Sequence, residues 1–390
     1  VKKLNYIMIS PHFPQNFIAF STRLKEAGVN VLGIAAEPYE WLPQDLKEAL
    51  TEYYRVDDME DYQQVYRAVA YLAFKHGKID RIESHNEHWM ELDAKLRTDF
   101  NVPGVHLDQL PAYKYKSGMK KVFIDHQIPA PKGRVFKDAA DARKLAKKLG
   151  YPVVVKPDDG VGASDTWLLK DAQALDEFLA QRQDLPYIME EAIDGDIVTF
   201  DGLTDQEGQI VCESSMAYEV PVLTTMSGGD DLFYYVDPNP PQDILDLGRQ
   251  VVQAFQIKER FFHIEFFRVK KTGKLLALEL NCRPPGGASV DMLNYAYDID
   301  VYKAYAQVVT QNQCSLEMGP GYYTGYLARH DQLAYQLSQQ DLEAKYGPAI
   351  VEIKRNPQMV VKVMGDTGYV VRTQTLDELV AIVEDFRRKK

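Results

Sequence analysis

"LLALELNCRPPGG", residues 275–287, carries a glutamate, an asparagine and an arginine at alternate positions of a run that otherwise reads as an apolar strand. Alternate side chains of a strand share a face, so Leu275, Ala277, Glu279, Asn281 and Arg283 group together. The preceding run, "ERFFHIEFFRV" at 259–269, puts Phe261, His263, Glu265 and Phe267 on one face, and the "KKTGK" between the two runs supplies a turn. A turn centred on Thr272 sets Glu265 opposite Glu279 and His263 opposite Asn281.

Like charges facing each other across a sheet cost roughly 0.2–1 kcal/mol, and more on an enclosed face. A compensating cation is therefore expected. The oxygens of Glu265, Glu279 and Asn281 suit Mg²⁺ or Mn²⁺, hard cations that take a few carboxylate oxygens and share substrate phosphates. The alternative is a solvated face of an antiparallel sheet, where polar alternation is ordinary. Phenylalanine, leucine and alanine on the same face, with like charges in register, argue for a metal platform. Cys282 turns to the opposite face, where a small buried side chain is expected rather than a nucleophile.

Working toward the N-terminus, "YPVVVKPDDGVGASDTWLL" at 151–169 reads as strand, glycine-rich turn, strand. Lys156 closes the first strand, and Gly160, Gly162, Ala163 and Ser164 leave backbone N–H groups able to cradle phosphate oxygens. The Gly-Lys-Ser/Thr ending of a P-loop is missing, so an ordinary hairpin is the competing reading. "YIMEEAIDGDIVTFDGL" at 187–203 runs from one strand through a connector into another. Such a connector either binds an adenine edge, with Glu190 accepting from the exocyclic amine, or merely links strands.

The first hundred residues alternate in period. Strands "LNYIMIS", "VNVLGIAA" and "KIDRIES" are interleaved with helices "QNFIAFSTRLKEAG" and "DYQQVYRAVAYLAFKHG", the pattern of an open parallel α/β sheet. The turn after the first strand, "SPHFPQNF", has no glycine, which argues against a dinucleotide site. His85, Glu87 and His88 in "SHNEHW" follow the last of these strands, where open sheets bind ligands; they are substrate contacts or a plain surface loop. A helix "YKYKSGMKKVFIDHQ" from Tyr113 and another, "AADARKLAKKLG", precede a stretch in which strands dominate from "YPVVVKP" to "QIVCESS". Beyond residue 320 lies a tail with strands "MVVKVMG" and "TGYVVRT" and a final helix, expected to pack as a third lobe.

At 390 residues the chain exceeds one small core, and about 150 residues per domain implies two or three. A net charge of -12 argues against a broad electrostatic footprint for nucleic acid. The 3 cysteines suit a reducing, cytoplasmic setting and exclude a disulfide scaffold. No run approaches the roughly 18 apolar residues of a membrane span, and the opening run is broken too early for an export signal.

Taken in order, these pieces resemble the ATP-grasp superfamily, in its carboxylate-amine ligase form, over nearly the whole chain. The resemblance implies a mixed α/β and α+β fold: an N-terminal open parallel α/β pre-domain at 1–112, an ATP-grasp domain at 113–311 with a mobile lid at about 125–190, an antiparallel-sheet core, and a C-terminal lobe at 312–390. It implies ATP and Mg²⁺ as cofactors. Lys116 and Lys156 match phosphate-facing lysines, Glu190, Glu191 and Ile193 the adenine connector, and Glu265, Glu279 and Asn281 the metal ligands. Arg283 matches the arginine near the γ-phosphate or acyl group, and His263 a basic phosphate-facing position. Where the family often places a ribose-binding glutamate stands Ile197; Asp196 would substitute only by a local shift.

The implied reaction activates a small carboxylate as an acylphosphate and joins it to an amine or similar nucleophile, with Lys116, Lys156 and Arg283 offsetting the moving charge. A bicarbonate-activating carboxylase relative and a non-catalytic nucleotide-binding module are the alternatives. A homodimer accords with the resemblance.

Overall fold

The computed structural model describes residues 3–160, 165–218, 231–314 and 316–390, and three sheets organise them. Gly162 and Ser164, and most of the loop after Tyr218, lie outside the described residues.

The first sheet is parallel throughout, in the order β3-β2-β1-β4: β1 (Asn5–Ile9), β2 (Asn30–Ala35), β3 (Glu52–Arg55) and β4 (Arg81–Glu83). Helices cover both of its faces, so β1 is buried at every residue and reads as a continuous apolar run. Strand order reverses between β1 and β4, and the "SHNEHW" loop leaves β4 there.

The second sheet contains β5 (Gly133–Val135), β6 (Val153–Pro157), β7 (Trp167–Leu169) and β8 (Tyr187–Glu191), antiparallel in the order β5-β8-β6-β7. The strand-dominated stretch expected here is interrupted by a helix, Ala172–Gln181. Asp171 caps it by accepting from the Ala174 N–H, and Leu175 and Phe178 bury its inner face.

The third sheet has eight strands in the order β13-β12-β9-β10-β11-β14-β16-β15. They are β9 (Gly195–Thr204), β10 (Ile210–Tyr218), β11 (Phe233–Asp237), β12 (Phe261–Val269), β13 (Leu275–Asn281), β14 (Tyr323–Arg329), β15 (Ile350–Arg355) and β16 (Thr367–Thr373). The tail strands β14, β16 and β15 extend this same sheet through the β11·β14 pairing. "MVVKVMG" is not a strand: it forms a 3₁₀ turn, Gln358–Val360, and a short helix, Val361–Met364, ending at Gly365 with φ +71°. An apolar run of that length does not distinguish the two by pattern alone.

β12 and β13 pair as the sequence predicts, His263 with Asn281 and Glu265 with Glu279, but the register then slips so that Phe266 faces Ala277. Leu278 is the extra residue, a β-bulge on the edge strand. The bulge corrects the expected grouping. Leu275 and Ala277 join Leu280 and Cys282 in the hydrophobic core with Phe262, Ile264 and Phe266, while Glu279 and Asn281 lie on the other face.

The expected helix from Tyr113 is two helices, Leu110–Lys114 and Lys116–Asp125, broken at Tyr115. Asp158, just past β6, takes the place of a local cap: its carboxylate accepts from the Ser117 N–H and hydroxyl, both at 2.7 Å, and its carbonyl accepts from the Lys116 N–H at 2.9 Å. The break depends on Gly118, where an added Cβ would lie 2.0 Å from the Pro111 carbonyl oxygen. Backbone cannot yield as a flexible side chain can, so Gly118→Ala is expected to cost about 1–3 kcal/mol. Urea denaturation of the variant checks this.

Candidate active site

The site forms where the edge of the eight-stranded sheet meets the helix Lys116–Asp125 and the second sheet. Glu265 and Glu279 face each other on β12 and β13, and β9, on the other side of β12, sets Thr199 beside Glu265 and Asp201 beside His263. Asp201 is buried, and its Oδ1 lies 2.5 Å from His263 Nδ1. Its second oxygen accepts from the Thr199 hydroxyl, which itself accepts from the Met216 N–H at 3.0 Å. His263 Nε2 then stands 3.3 Å from Glu265 Oε1.

Burial favours a neutral imidazole here, but the charge and hydrogen bond of Asp201, with a smaller contribution from Glu265, outweigh it and raise His263 to about 9. The opposed glutamates separate in the manner of a like-charge pair. Burial and the charge of Glu265 push Glu279 up against the pull of Lys116. Glu265 is held low because His263 and Arg283 overcome its burial.

Three lysines converge from two elements. Lys116 Nζ lies 3.6 Å from Glu279 Oε1 and donates to the Gly160 carbonyl at 2.5 Å. Lys156 Nζ is 2.9 Å from one oxygen of Glu190, and Lys120 Nζ is 2.6 Å from the other. Burial works against the charge of Lys156, yet Glu190 and Glu279 prevail and hold it above the ordinary lysine range. Glu190 is likewise held low by the two lysines in spite of its burial.

The structure thus brings together Lys116, Lys156, Gly160, Glu190, His263, Glu265, Glu279, Asn281 and Arg283. Glu191 is engaged with the chain at Lys132, whose N–H donates to Glu191 Oε1 at 2.8 Å, and Ile193 follows on the connector. Asp196 is not gathered in: it shares a face with Val198 and Phe200, away from Thr199 and Asp201, and lies 3.7 Å from Lys270 Nζ. Of the three residues in the "SHNEHW" loop, only Glu87 reaches the site, where its Oε2 accepts from Arg283 Nη2 at 2.5 Å. His85 is a buried core residue stacked on Phe20 at 4.0 Å, and burial lowers it to about 4. His88 is exposed and 2.7 Å from Glu60.

Lys120 and Asp201 escaped the sequence reading. Lys120 stands four residues after Lys116, a spacing that puts both on one helix face, so its signal was present. Asp201 alternates with Thr199, but only the pairing of β9 with β12 reveals its partner.

Among the described residues no group of three or more His, Cys, Asp or Glu side chains is placed to hold a metal ion. Two carboxylates and an amide oxygen are the kind of donor set Mg²⁺ accepts, completed by phosphate oxygens and water. The like-charge pair is the observation that fits a cation, since burial and Glu265 together raise Glu279.

The three-sheet arrangement is the ATP-grasp fold. Within that class, the sequence resembles the carboxylate-amine ligases. It is 25% identical over 276 residues to the L-arginine-specific L-amino acid ligase of Bacillus subtilis, covering 68% of this chain and 66% of that protein. The chain therefore spans just under two thirds of that relative's length. Among solved structures, the L-amino acid ligase from Bacillus licheniformis superposes with a TM-score of 0.74 at 17% identity, covering 99% of this chain and 97% of that one. The ADP complex of N5-carboxyaminoimidazole synthetase from Staphylococcus aureus gives a TM-score of 0.72 at 16% identity, covering 98% of each chain. No family model matches the chain. No helix among the described residues is long and apolar enough to cross a membrane.

The Asp201–His263 pair has a consequence for stability. Folding raises His263 from 6.5 to about 9, so its contribution, about 3 kcal/mol at most, is complete below pH 6.5 and is lost as pH rises through 9. In chelator and without nucleotide, the urea midpoint of the unaltered chain is expected to fall over this window. Asp201→Asn should remove most of that fall.

Proposed function

We propose that this chain is an ATP-dependent ligase that activates a small carboxylate as an acylphosphate and joins it to an amine, releasing ADP and phosphate. The observation that carries the reading is the Glu265–Glu279 pair, held in register and surrounded by Lys116, Lys156 and Arg283. The name of the Bacillus subtilis relative supports it and makes amino acids the first carboxylates to test.

A Mg²⁺ or Mn²⁺ ion held by Glu265, Glu279 and Asn281 would neutralise charge on the ATP phosphates. The chain's own residues do the rest. Lys116 and Lys156 hold the phosphates. Glu190, Glu191 and Ile193 line the adenine side. A substrate carboxylate oxygen attacks the γ-phosphorus, the bond to the bridging oxygen breaks, and ADP leaves. Arg283 and His263 offset the charge that develops on the acylphosphate. The amine then attacks the acyl carbon, phosphate departs, and the amine gives up its proton. Closure of the second sheet over the site would shield the acylphosphate from water.

The same reading takes residues 1–112, 113–311 with a lid at about 125–190, and 312–390 as the three functional units, in a cytoplasmic homodimer. The free state of Cys212, Cys282 and Cys314 accords with a reducing compartment.

Release of ADP and phosphate from Mg-ATP, measured over pools of amino acids, other carboxylates, amines and bicarbonate, tests the proposal. Dependence on one carboxylate and one amine is the expected result. Dependence on bicarbonate would point to a carboxylase instead. Silence in every pool, with ATP binding intact by calorimetry, would overturn the ligase reading in favour of a nucleotide-binding module. Glu279→Gln is expected to lower turnover by about 1,000-fold or more while leaving the unfolding midpoint nearly unchanged, because it removes one member of a repelling pair. Full retained activity in that variant would remove the metal assignment.

A further inference from the structure

A second cleft opens beside Cys282, on the core side of the end of β13, where the parallel sheet meets the eight-stranded one. Its volume is about 410 Å³, within the range of small-molecule sites. One wall is β4, the edge strand of the parallel sheet, with Ile82 between Arg81 and Glu83. The other is the turn 256–260 that leads into β12, and the hydroxyls of Tyr6 and Tyr305, 2.6 Å apart, complete the lining with Cys282. None of the side chains gathered around Glu265 and Glu279 takes part in it.

The chain as a whole carries a charge of -12, yet this lining is positive. Arg81, Arg97, Arg260 and Lys258 stand against Glu83 and Glu259, which leaves two positive charges in excess. Burial opposes the charge of Glu83, but Arg260 and Arg97 outweigh it and keep its carboxyl ionised. Burial pushes the Cys282 thiol up to about 12, so it adds no negative charge at neutral pH. Both carboxylates are already engaged: Glu83 lies 2.7 Å from Arg97 and from Arg260, and Glu259 Oε2 accepts from Arg81 Nη2 at 2.7 Å. Among the described residues, the Lys258 ammonium and the Gln256 side-chain amide have no hydrogen-bond or ion-pair partner. The turn that carries them is bracketed by Gln256 and Glu259, at φ +52° and +49°, a region in which residues other than glycine are uncommon. Such backbone persists where its surroundings fix it, here by the Glu259 N–H donating to the Asp205 carbonyl at 2.6 Å, and it is concentrated at ligand sites.

We infer that this cleft binds a small organic dianion, with its charged end at Lys258 and its body against Ile82, Val105 and Tyr113. Excess charge between low-dielectric walls focuses its field on a ligand of opposite sign. Two negative charges neutralise the lining, and the apolar side chains select an organic body over a bare ion. A dicarboxylate and a phosphate monoester share this chemistry. The inference does not depend on the ligase reading. It does bear on the site in front of the sheet: Cys282 lies between Asn281 and Arg283, and Arg260 immediately precedes the strand that carries His263 and Glu265, so an occupant touches both strands from behind.

Calorimetry on the full chain at about pH 8, with and without Mg-ADP, tests this with glutarate and phenyl phosphate as probes. At least one is expected to bind in both conditions with a Kd below about 1 mM. Glutarate alone would identify a dicarboxylate site, and phenyl phosphate alone a phosphate monoester site. Sulfate, a dianion without an organic body, should bind at least about 10-fold more weakly than the better probe. Lys258→Glu, which removes the excess charge, is expected to weaken the probe by at least about 10-fold, and Lys258→Arg to hold it within about threefold. An unaltered unfolding midpoint reports an intact fold in both variants. Absence of binding by either probe, sulfate binding as tightly, or unchanged affinity in Lys258→Glu each overturns the inference. Binding that Mg-ADP abolishes and Arg283→Ala removes, while Lys258→Glu leaves it intact, would place the probe at the metal site and overturn the inference as well. Failure of the ADP-release assay counts against the ligase reading alone, since the titrations without Mg-ADP do not involve it.

Discussion

Two glutamates opposite one another on adjacent strands form an arrangement that an ordinary sheet avoids, and the rest of the site is built around that repulsion. Glu265 and Glu279 occupy it because β12 and β13 pair in register at exactly those residues and slip by one residue immediately below. The slip at Leu278 lets one strand serve two environments. Leu275, Ala277, Leu280 and Cys282 pack into the core behind the sheet, while Glu279 and Asn281 project in front of it. Without the extra residue, a strict alternation would bury either the glutamate or the leucines on the wrong side.

The cations that answer this charge come from elsewhere in the chain, and each is already engaged. Lys116 approaches Glu279 from a helix whose first turn is capped by Asp158 from the second sheet. Lys156 and Lys120 share Glu190, Arg283 holds Glu87, and His263 is held by Asp201. Buried charges without partners are costly, and here each has a partner within the chain. Under the proposed function, a polyanionic ligand with its metal would enter by exchanging partners with these oriented donors. The Asp201 pairing differs from the others in depth: it lies within the sheet, is linked to the backbone through Thr199 and Met216, and fixes the imidazole from behind.

Much of this was legible in the residues. The alternation in "HIEFF" and "LELNCRP" located the opposed glutamates and their register, the α/β periods of the first hundred residues marked a parallel sheet, and "YPVVVKP" marked the strand that ends at Lys156 and Pro157. Other features had no local signature. The Ala172–Gln181 helix was hidden in a stretch read as strands, and "MVVKVMG" gave an apolar run that fits either a strand or a short helix.

The sequence by itself determined the chemistry available on each strand and the pairing of neighbours joined by a short turn, because period-two alternation and a five-residue link leave few registers open. The tertiary structure decided which distant residues meet. Asp201 reaches His263 only through β9·β12 pairing, Glu87 reaches Arg283 only because the parallel sheet docks beside the site, and the bulge at Leu278 chose which face each apolar residue took. Those outcomes depend on packing between segments far apart in the chain, where no local propensity acts and the burial of whole faces selects the arrangement.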